Sequence, residues 1–220
     1  MRTLCGYVFN STKRIGKFKE RIKNMDRRAE VKRKTKETDI ALSLAIDGTG
    51  KGNIRTGIGF FDHMLEGFAK HGFFDLTLLV NGDLQVDGHH TVEDTGIVLG
   101  QAVKEAVGDK AGIRRYGHFI LPMDDALCLC AVDLCGRPYF EFACDFKAER
   151  VGTFETELVK EFFQAVSYSA GMNLHIRMLS GENTHHMIEA MFKAFGKALD
   201  MATGLDERIT GVLSTKGSLG

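Results

Sequence analysis

The stretch G-H-H-T-V-E-D-T-G-I-V-L-G-Q-A-V-K-E-A-V-G runs from Gly88 to Gly108, and T-H-H-M-I-E-A-M-F-K-A-F-G-K-A-L-D-M-A-T-G runs from Thr184 to Gly204. Each opens with a small or capping residue, gives His-His-x-x-Glu, and continues as an apolar helical pattern that ends in Gly. His89 and His185, the first His of each copy, lie 96 positions apart. An internal repeat of this length decides how the rest of the chain is read.

Upstream of each copy the parallel continues. Phe74–Gly82 and Asn173–Gly181 alternate as strands, and amphipathic helices are expected before them over Phe60–His71 and Leu158–Ala170. Earlier still, Ile40–Ile46 and Asn53–Ile58 in one half, and Ala126–Leu134 and Tyr139–Phe146 in the other, have strand character. Asp47-Gly48-Thr49-Gly50 and Cys135-Gly136 supply turns. The expected fold is α/β (α+β): duplicated half-domains, each a mostly antiparallel sheet packed against two helices. With the break near Gly108–Gly117, the halves are 25–112 and 113–220, together one catalytic unit.

Composition adds exclusions. Net charge is zero over 220 residues, so nothing global points to nucleic acid. Residues 1–24 carry +6, with seven Lys and Arg against Glu20 alone. They read as a basic extension, disordered or not native, with Met25 an alternative start. That segment lacks the apolar core of a signal peptide, and no later run reaches the roughly 18 apolar residues of a membrane span. Cys5, Cys128, Cys130, Cys135 and Cys144 show no C-x-x-C spacing and read as reduced structural thiols of a cytoplasmic protein, Cys128 and Cys130 sharing one strand face.

On a helix, i and i+4 share a face while i+1 sits about 100° round. His89 and Glu93 therefore aim at one point and His90 at a neighbouring one; His185, Glu189 and His186 repeat the arrangement. Imidazole with carboxylate suits a borderline divalent ion, and the absence of Cys disfavours structural zinc. A helix N-terminus should favour the neutral, ligating imidazole. His63 is the best further donor, as a repeat-level partner lying ahead of the first pair, and Glu161 occupies the corresponding second-half position. His71 and His175 read as structural, and His118 stands outside every motif.

The segments Arg33–Ile40, Gly59–Leu65, Asp87–Gly96, Arg115–Gly117, Asp133–Pro138, Asn183–Ala194 and Ser214–Gly217, in this order, closely resemble imidazoleglycerol-phosphate dehydratase. The resemblance implies dehydration of imidazoleglycerol phosphate to imidazole acetol phosphate in histidine biosynthesis. It also implies two Mn²⁺ per active site and a large symmetric homo-oligomer, a 24-mer, with sites at subunit interfaces. The metal ligands carried over are His63, His89, His90, Glu93, His185, His186 and Glu189. Some family members have His where this chain has Glu161, so that ligand is changed or absent. Arg115, Arg137, Lys193, Ser214, Thr215 and Lys216 would hold the phosphate, and Glu37 would be the acid–base residue, with Asp124 a second proton-transfer group. Glu37 precedes the first secure strand and stands apart in sequence from both ligand helices, so an approach from the side opposite the metals is expected. Two other classes are weighed: a dinuclear metallohydrolase acting on a small phosphorylated substrate, and a non-catalytic metal store or scaffold, which would not need Arg115, Arg137 and Lys193.

Overall fold

The computed structural model describes residues 27–219; the basic extension 1–24 and the alternative start at Met25 lie outside them. In the first half, β1 (Arg28–Lys34), β2 (Thr38–Ala45), β3 (Gly52–Arg55), α1 (Gly59–Gly72), β4 (Asp75–Gly82) and α2 (His89–Val107) follow in order. The second half repeats them as β5 (Tyr116–Met123), β6 (Ala126–Asp133), β7 (Tyr139–Ala143), α3 (Leu158–Ala170), β10 (Asn173–Ser180) and α4 (Thr184–Thr203). A short hairpin, β8 (Arg150–Val151) and β9 (Phe154–Glu155), is inserted before α3.

The two four-stranded sheets have the same topology, β1-β2-β4-β3 and β5-β6-β10-β7. In each, three strands are antiparallel and the last pairs parallel, β3 with β4 and β7 with β10. The expected duplicated architecture is thus the observed one. Four strands had no clear signal: β1, β5 and the two-residue β8 and β9. In β1 only Ala29 and Val31 are buried, among charged outward residues, whereas in β5 the inward Gly117, Phe119 and Leu121 alternate with outward residues that include Tyr116 and Ile120, so polarity does not alternate.

The helices of each half cover one face of their own sheet and then pack across the molecule, α1 on α4 and α2 on α3. A Cβ at Gly196 would lie 2.6 Å from the Phe68 carbonyl oxygen, and one at Gly100 would lie 2.6 Å from that of Val166. These two glycines are 96 residues apart, so both crossings use the same device: missing side chains bring the backbones together. Around the crossings Phe61, Phe162, Phe163, Phe192 and Phe195 are fully buried, with Phe162 stacked on Phe192 at 5.1 Å between ring centroids. Each such ring contributes roughly 1.5–3 kcal/mol by leaving water. This shared aromatic layer joins the halves and fixes which helix N-termini become neighbours.

Cys128, Cys130 and Cys135 are buried and free, as expected, and burial pushes the Cys128 thiol up to about 12. Among the described residues no helix is long and apolar enough to cross a membrane.

Candidate active site

The α4 N-terminus is capped by Asn183, whose side-chain oxygen accepts from the amides of His185 and His186. Asn183, not Thr184, is the cap, one residue earlier than the repeat suggests. With the first turn fixed, His185 and Glu189 lie one turn apart, Nε2 to Oε2 3.4 Å. His63, on α1, brings its Nε2 to 4.0 Å from Glu189 Oε1. One donor atom from each of His63, His185 and Glu189 lies within 4.8 Å of the others, the one such group of three among the described residues.

The packing of helices across the two halves explains this membership. His63 belongs to the first half but joins the second half's pair, because α1 packs on α4. In the first half's own motif, His89 Nε2 faces Glu93 Oε2 at 3.7 Å with no third donor in that group. The donor set of two imidazoles and a carboxylate fits a divalent transition ion. Burial pushes the Glu189 carboxyl up, but the Lys193 ammonium 2.7 Å away outweighs it and holds the group below its ordinary value. Glu189 therefore offers an ionised oxygen even though it is 8% exposed. Phe60 closes one side of His185, ring edge to face at 5.1 Å.

The second histidine of each motif turns elsewhere. His90 Nδ1 lies 3.0 Å from Asp83 Oδ2 and its Nε2 4.0 Å from Glu37 Oε1. His186 Nδ1 lies 2.7 Å from Asp125 Oδ1 and its Nε2 3.5 Å from Asp124 Oδ2. The Asp83 and Asp125 hydrogen bonds raise both imidazoles above their ordinary value, and the Asp125 carboxyl is held far below its own. At His90 and His186 the adjacent carboxylate charge thus opposes the partial positive charge of the helix end.

Glu37 is not remote from the ligand helices. It sits in the β1–β2 turn, where the Thr35 hydroxyl accepts from the amides of Glu37 and Thr38. Buried Asp94, on α2 just past Glu93, takes a 2.5 Å contact from Arg33 and another from the Thr38 hydroxyl. These bonds clamp the turn to the helix and bring Glu37 beside His90. Separation in sequence was misleading because β1 and β2 return the turn to the α2 N-terminus. Asp94, Arg33 and Thr38 lie inside motifs already singled out, and their spacing gave no sign of this clamp.

A cavity of about 850 Å³ gathers Arg115, Arg137, Ser214, Thr215 and Lys216, five of the six residues expected to hold phosphate. The Arg115 fork is already engaged: Nε and Nη2 donate to Asp133 at 2.7 and 2.9 Å, and Nη1 donates to the Leu213 carbonyl at 2.8 Å. It fastens the C-terminal segment against β6. The Arg137 guanidinium and the Lys216 ammonium have no partner among the described residues. Lys193 stands apart from the cavity, on Glu189 and 3.4 Å from Met123 Sδ.

A duplicated α/β scaffold carrying a two-histidine, one-carboxylate group and a separate basic cavity defines a metal-binding protein suited to a small anionic substrate. The family model for imidazoleglycerol-phosphate dehydratase matches residues 56–199, and the chain belongs to that family. The dehydratase of Lachnoclostridium phytofermentans is 66% identical over 195 residues, covering 89% of this chain and all of the relative. That of Acetivibrio thermocellus is 64% identical over the same span. Among solved structures, the Staphylococcus aureus enzyme superposes with a TM-score of 0.74 at 41% identity, over 81% of this chain and 99% of that one. The Pyrococcus furiosus enzyme gives 0.75 at 40% identity, over 86% of this chain and all of that one.

Proposed function

We propose that this chain dehydrates imidazoleglycerol phosphate to imidazole acetol phosphate and water, a step of histidine biosynthesis in the cytoplasm, with two Mn²⁺ ions per active site. The observation that carries the reading is the convergence of His63, His185 and Glu189 from two halves of a chain that belongs to this family.

The hydroxyl leaves from the carbon that bears the imidazole, and the proton leaves from the neighbouring carbon; the resulting enol becomes the ketone. No carbonyl acidifies that proton, so an electron sink is required. Divalent ions held by the histidines and carboxylates would supply it by stabilising negative charge delivered to the substrate's imidazole. His63, His185 and Glu189 would hold one ion, and His89, Glu93, His90 and His186 supply donors for the other. Arg137, Lys216, Ser214 and Thr215 bind the phosphate, a remote handle whose binding energy orients the reacting carbons, while Arg115 holds the segment that carries three of them. Lys193 keeps Glu189 ionised and can extend toward the phosphate. Glu37 takes the carbon proton, and Asp124 assists in the remaining transfers.

One chain leaves this set divided: the basic cavity contains none of the three grouped donors, and the Nε2 atoms of His90 and His186 each face a single carboxylate, Glu37 or Asp124, outside that group. That division supports active sites completed between subunits of a large symmetric homo-oligomer, a 24-mer. The test is a steady-state assay on imidazoleglycerol phosphate after metal stripping and refilling. Activity is expected to vanish on stripping and return with Mn²⁺; phosphate release in place of dehydration, or full turnover in preparations shown to be metal-free, would overturn the proposal.

A further inference from the structure

The second histidines share a geometry that the duplication does not supply. Asp83 follows the end of β4, whereas Asp125 lies in the turn between β5 and β6; these are not corresponding places in the repeat. Yet each puts a carboxylate oxygen on Nδ1 of the second histidine, at 3.0 Å on His90 and 2.7 Å on His186. An ionised carboxylate can only accept, so Nδ1 carries the hydrogen in both rings and Nε2 is left as the atom with a lone pair to give. In both, Nε2 makes no hydrogen bond among the described residues and looks toward a turn carboxylate, Glu37 or Asp124. His63, His89 and His185 likewise present Nε2 to a carboxylate.

Asp83 has a further peculiarity. Its Oδ1 is buried without a hydrogen-bond partner, and its side chain is 16% exposed. A carboxylate in that setting costs desolvation that a single bond to an exposed imidazole does not obviously offset. Its retention is accounted for if His90 is itself held on its far side by a cation, since an Asp on Nδ1 makes the Nε2 lone pair a stronger donor.

We infer that Asp83 and Asp125 are positioning residues for metal binding, each locking the second histidine of its motif in the Nδ1–H form so that Nε2 is the ligating atom. The inference rests on the reading of the chain as a metal-dependent dehydratase. Its structural alternative is a pair of ordinary surface ion pairs, which would leave metal affinity alone.

The experiment titrates the full chain with Mn²⁺ in the absence of substrate and reads free metal by electron paramagnetic resonance, beside melting curves in chelator. Asp83→Ala is the cleaner probe, because the Asp83 side chain makes no hydrogen bond besides the one to His90 among the described residues, whereas that of Asp125 also accepts from the amides of Glu182 and Asn183. Wild type is expected to bind Mn²⁺, and Asp83→Ala to bind it roughly 10- to 100-fold more weakly. Asp83→Asn keeps an acceptor oxygen and the packing but loses the charge, so it should fall between the two, as should Asp125→Asn, with apo melting near wild type. Wild-type affinity in both Asp83 variants overturns the inference even if the wild-type enzyme dehydrates its substrate. A wild type that neither binds Mn²⁺ nor dehydrates overturns the functional reading instead.

Discussion

Gly196→Ala tests the close crossing on which the three-donor group depends. The added Cβ would meet the Phe68 carbonyl oxygen at 2.6 Å and the Gly72 amide nitrogen at 3.1 Å. Both are backbone atoms, so no rotamer change can relieve the contact. Ordinary packing begins near 3.4 Å, so α1 and α4 must separate by about 0.8 Å at this point. Overpacking of this kind costs ~1–3 kcal/mol, and a rigid backbone neighbour puts it toward the upper end. Alanine returns about 1 kcal/mol of helix propensity. The net loss is roughly 1–2 kcal/mol, or about 2–8 °C in Tm for a chain of this size. Separation also carries His63 away from His185 and Glu189, well beyond the ~0.2 Å that metal–ligand distances tolerate. Mn²⁺ affinity should therefore fall by at least roughly tenfold.

Gly67→Ala is the internal control. It lies on α1, the helix that α4 crosses, but its Cβ would meet only the Lys193 side chain, at 3.8 Å. Here the propensity gain is unopposed, and the variant should be neutral to about 1 kcal/mol more stable, with unchanged metal affinity. Calorimetry in chelator and a metal titration on the three proteins decide the matter. If Gly196→Ala melts at or above wild type and binds Mn²⁺ equally well, the helices have room and the argument from the crossing is wrong.

Other expectations follow from the same geometry. Glu189→Gln removes the charged donor of the three and leaves Lys193 half-buried without its anion; Mn²⁺ stoichiometry should drop and Tm fall by about 1–3 kcal/mol equivalent, the scale of a lost charged hydrogen bond. Arg115→Ala frees Asp133 and the Leu213 carbonyl, so residues beyond Thr203 should become protease-sensitive and the Michaelis constant should rise while the metal content stays; an unchanged digestion pattern would separate Arg115 from the C-terminal segment. Glu37→Gln should keep metal and assembly but lose roughly 10²-fold or more in kcat, the scale of general acid–base catalysis; near-normal turnover would move the role to Asp124.

The fold was legible because two independent signals coincide: the His-His-x-x-Glu helices repeat at 96 residues, and the strand and helix patterns before them repeat in the same order. Of the strands that escaped notice, β1 buries only Ala29 and Val31 among charged outward residues, β5 carries apolar residues on both faces, and β8 and β9 are two residues each. At the site, the spacing of His185 and Glu189 fixed a pair because i and i+4 are neighbours on any helix. What spacing could not show was tertiary. His63 pairs across the repeat because of which helices cross, Glu37 reaches His90 through Asp94, and Arg115 spends its fork on Asp133. Each of these depends on tertiary contacts between separate elements, which a one-dimensional pattern does not encode.

The packing of α1 on α4 and of α2 on α3 across the halves has a thermodynamic consequence. Had each half kept its own donors, a metal ion would stabilise that half alone. Instead His63 comes from one sheet's helix and His185 with Glu189 from the other's, so an ion bound there bridges the two. Binding to the folded chain and not to the unfolded one contributes RT ln(1 + [M]/Kd), about 2.7 kcal/mol at a hundredfold excess over Kd. Here that free energy acts on the α1–α4 crossing itself, the contact that Gly196 makes close. Metal affinity and the docking of the halves are therefore one equilibrium measured two ways. A substitution that loosens the crossing must weaken metal binding, and metal must restore part of the lost Tm. Gly196→Ala should accordingly regain a smaller Tm increment from Mn²⁺ than wild type at equal concentration, because its Kd is higher. An equal increment in the two proteins would show that the ion binds without feeling the crossing, and that the three donors are held by something other than the packing of α1 on α4.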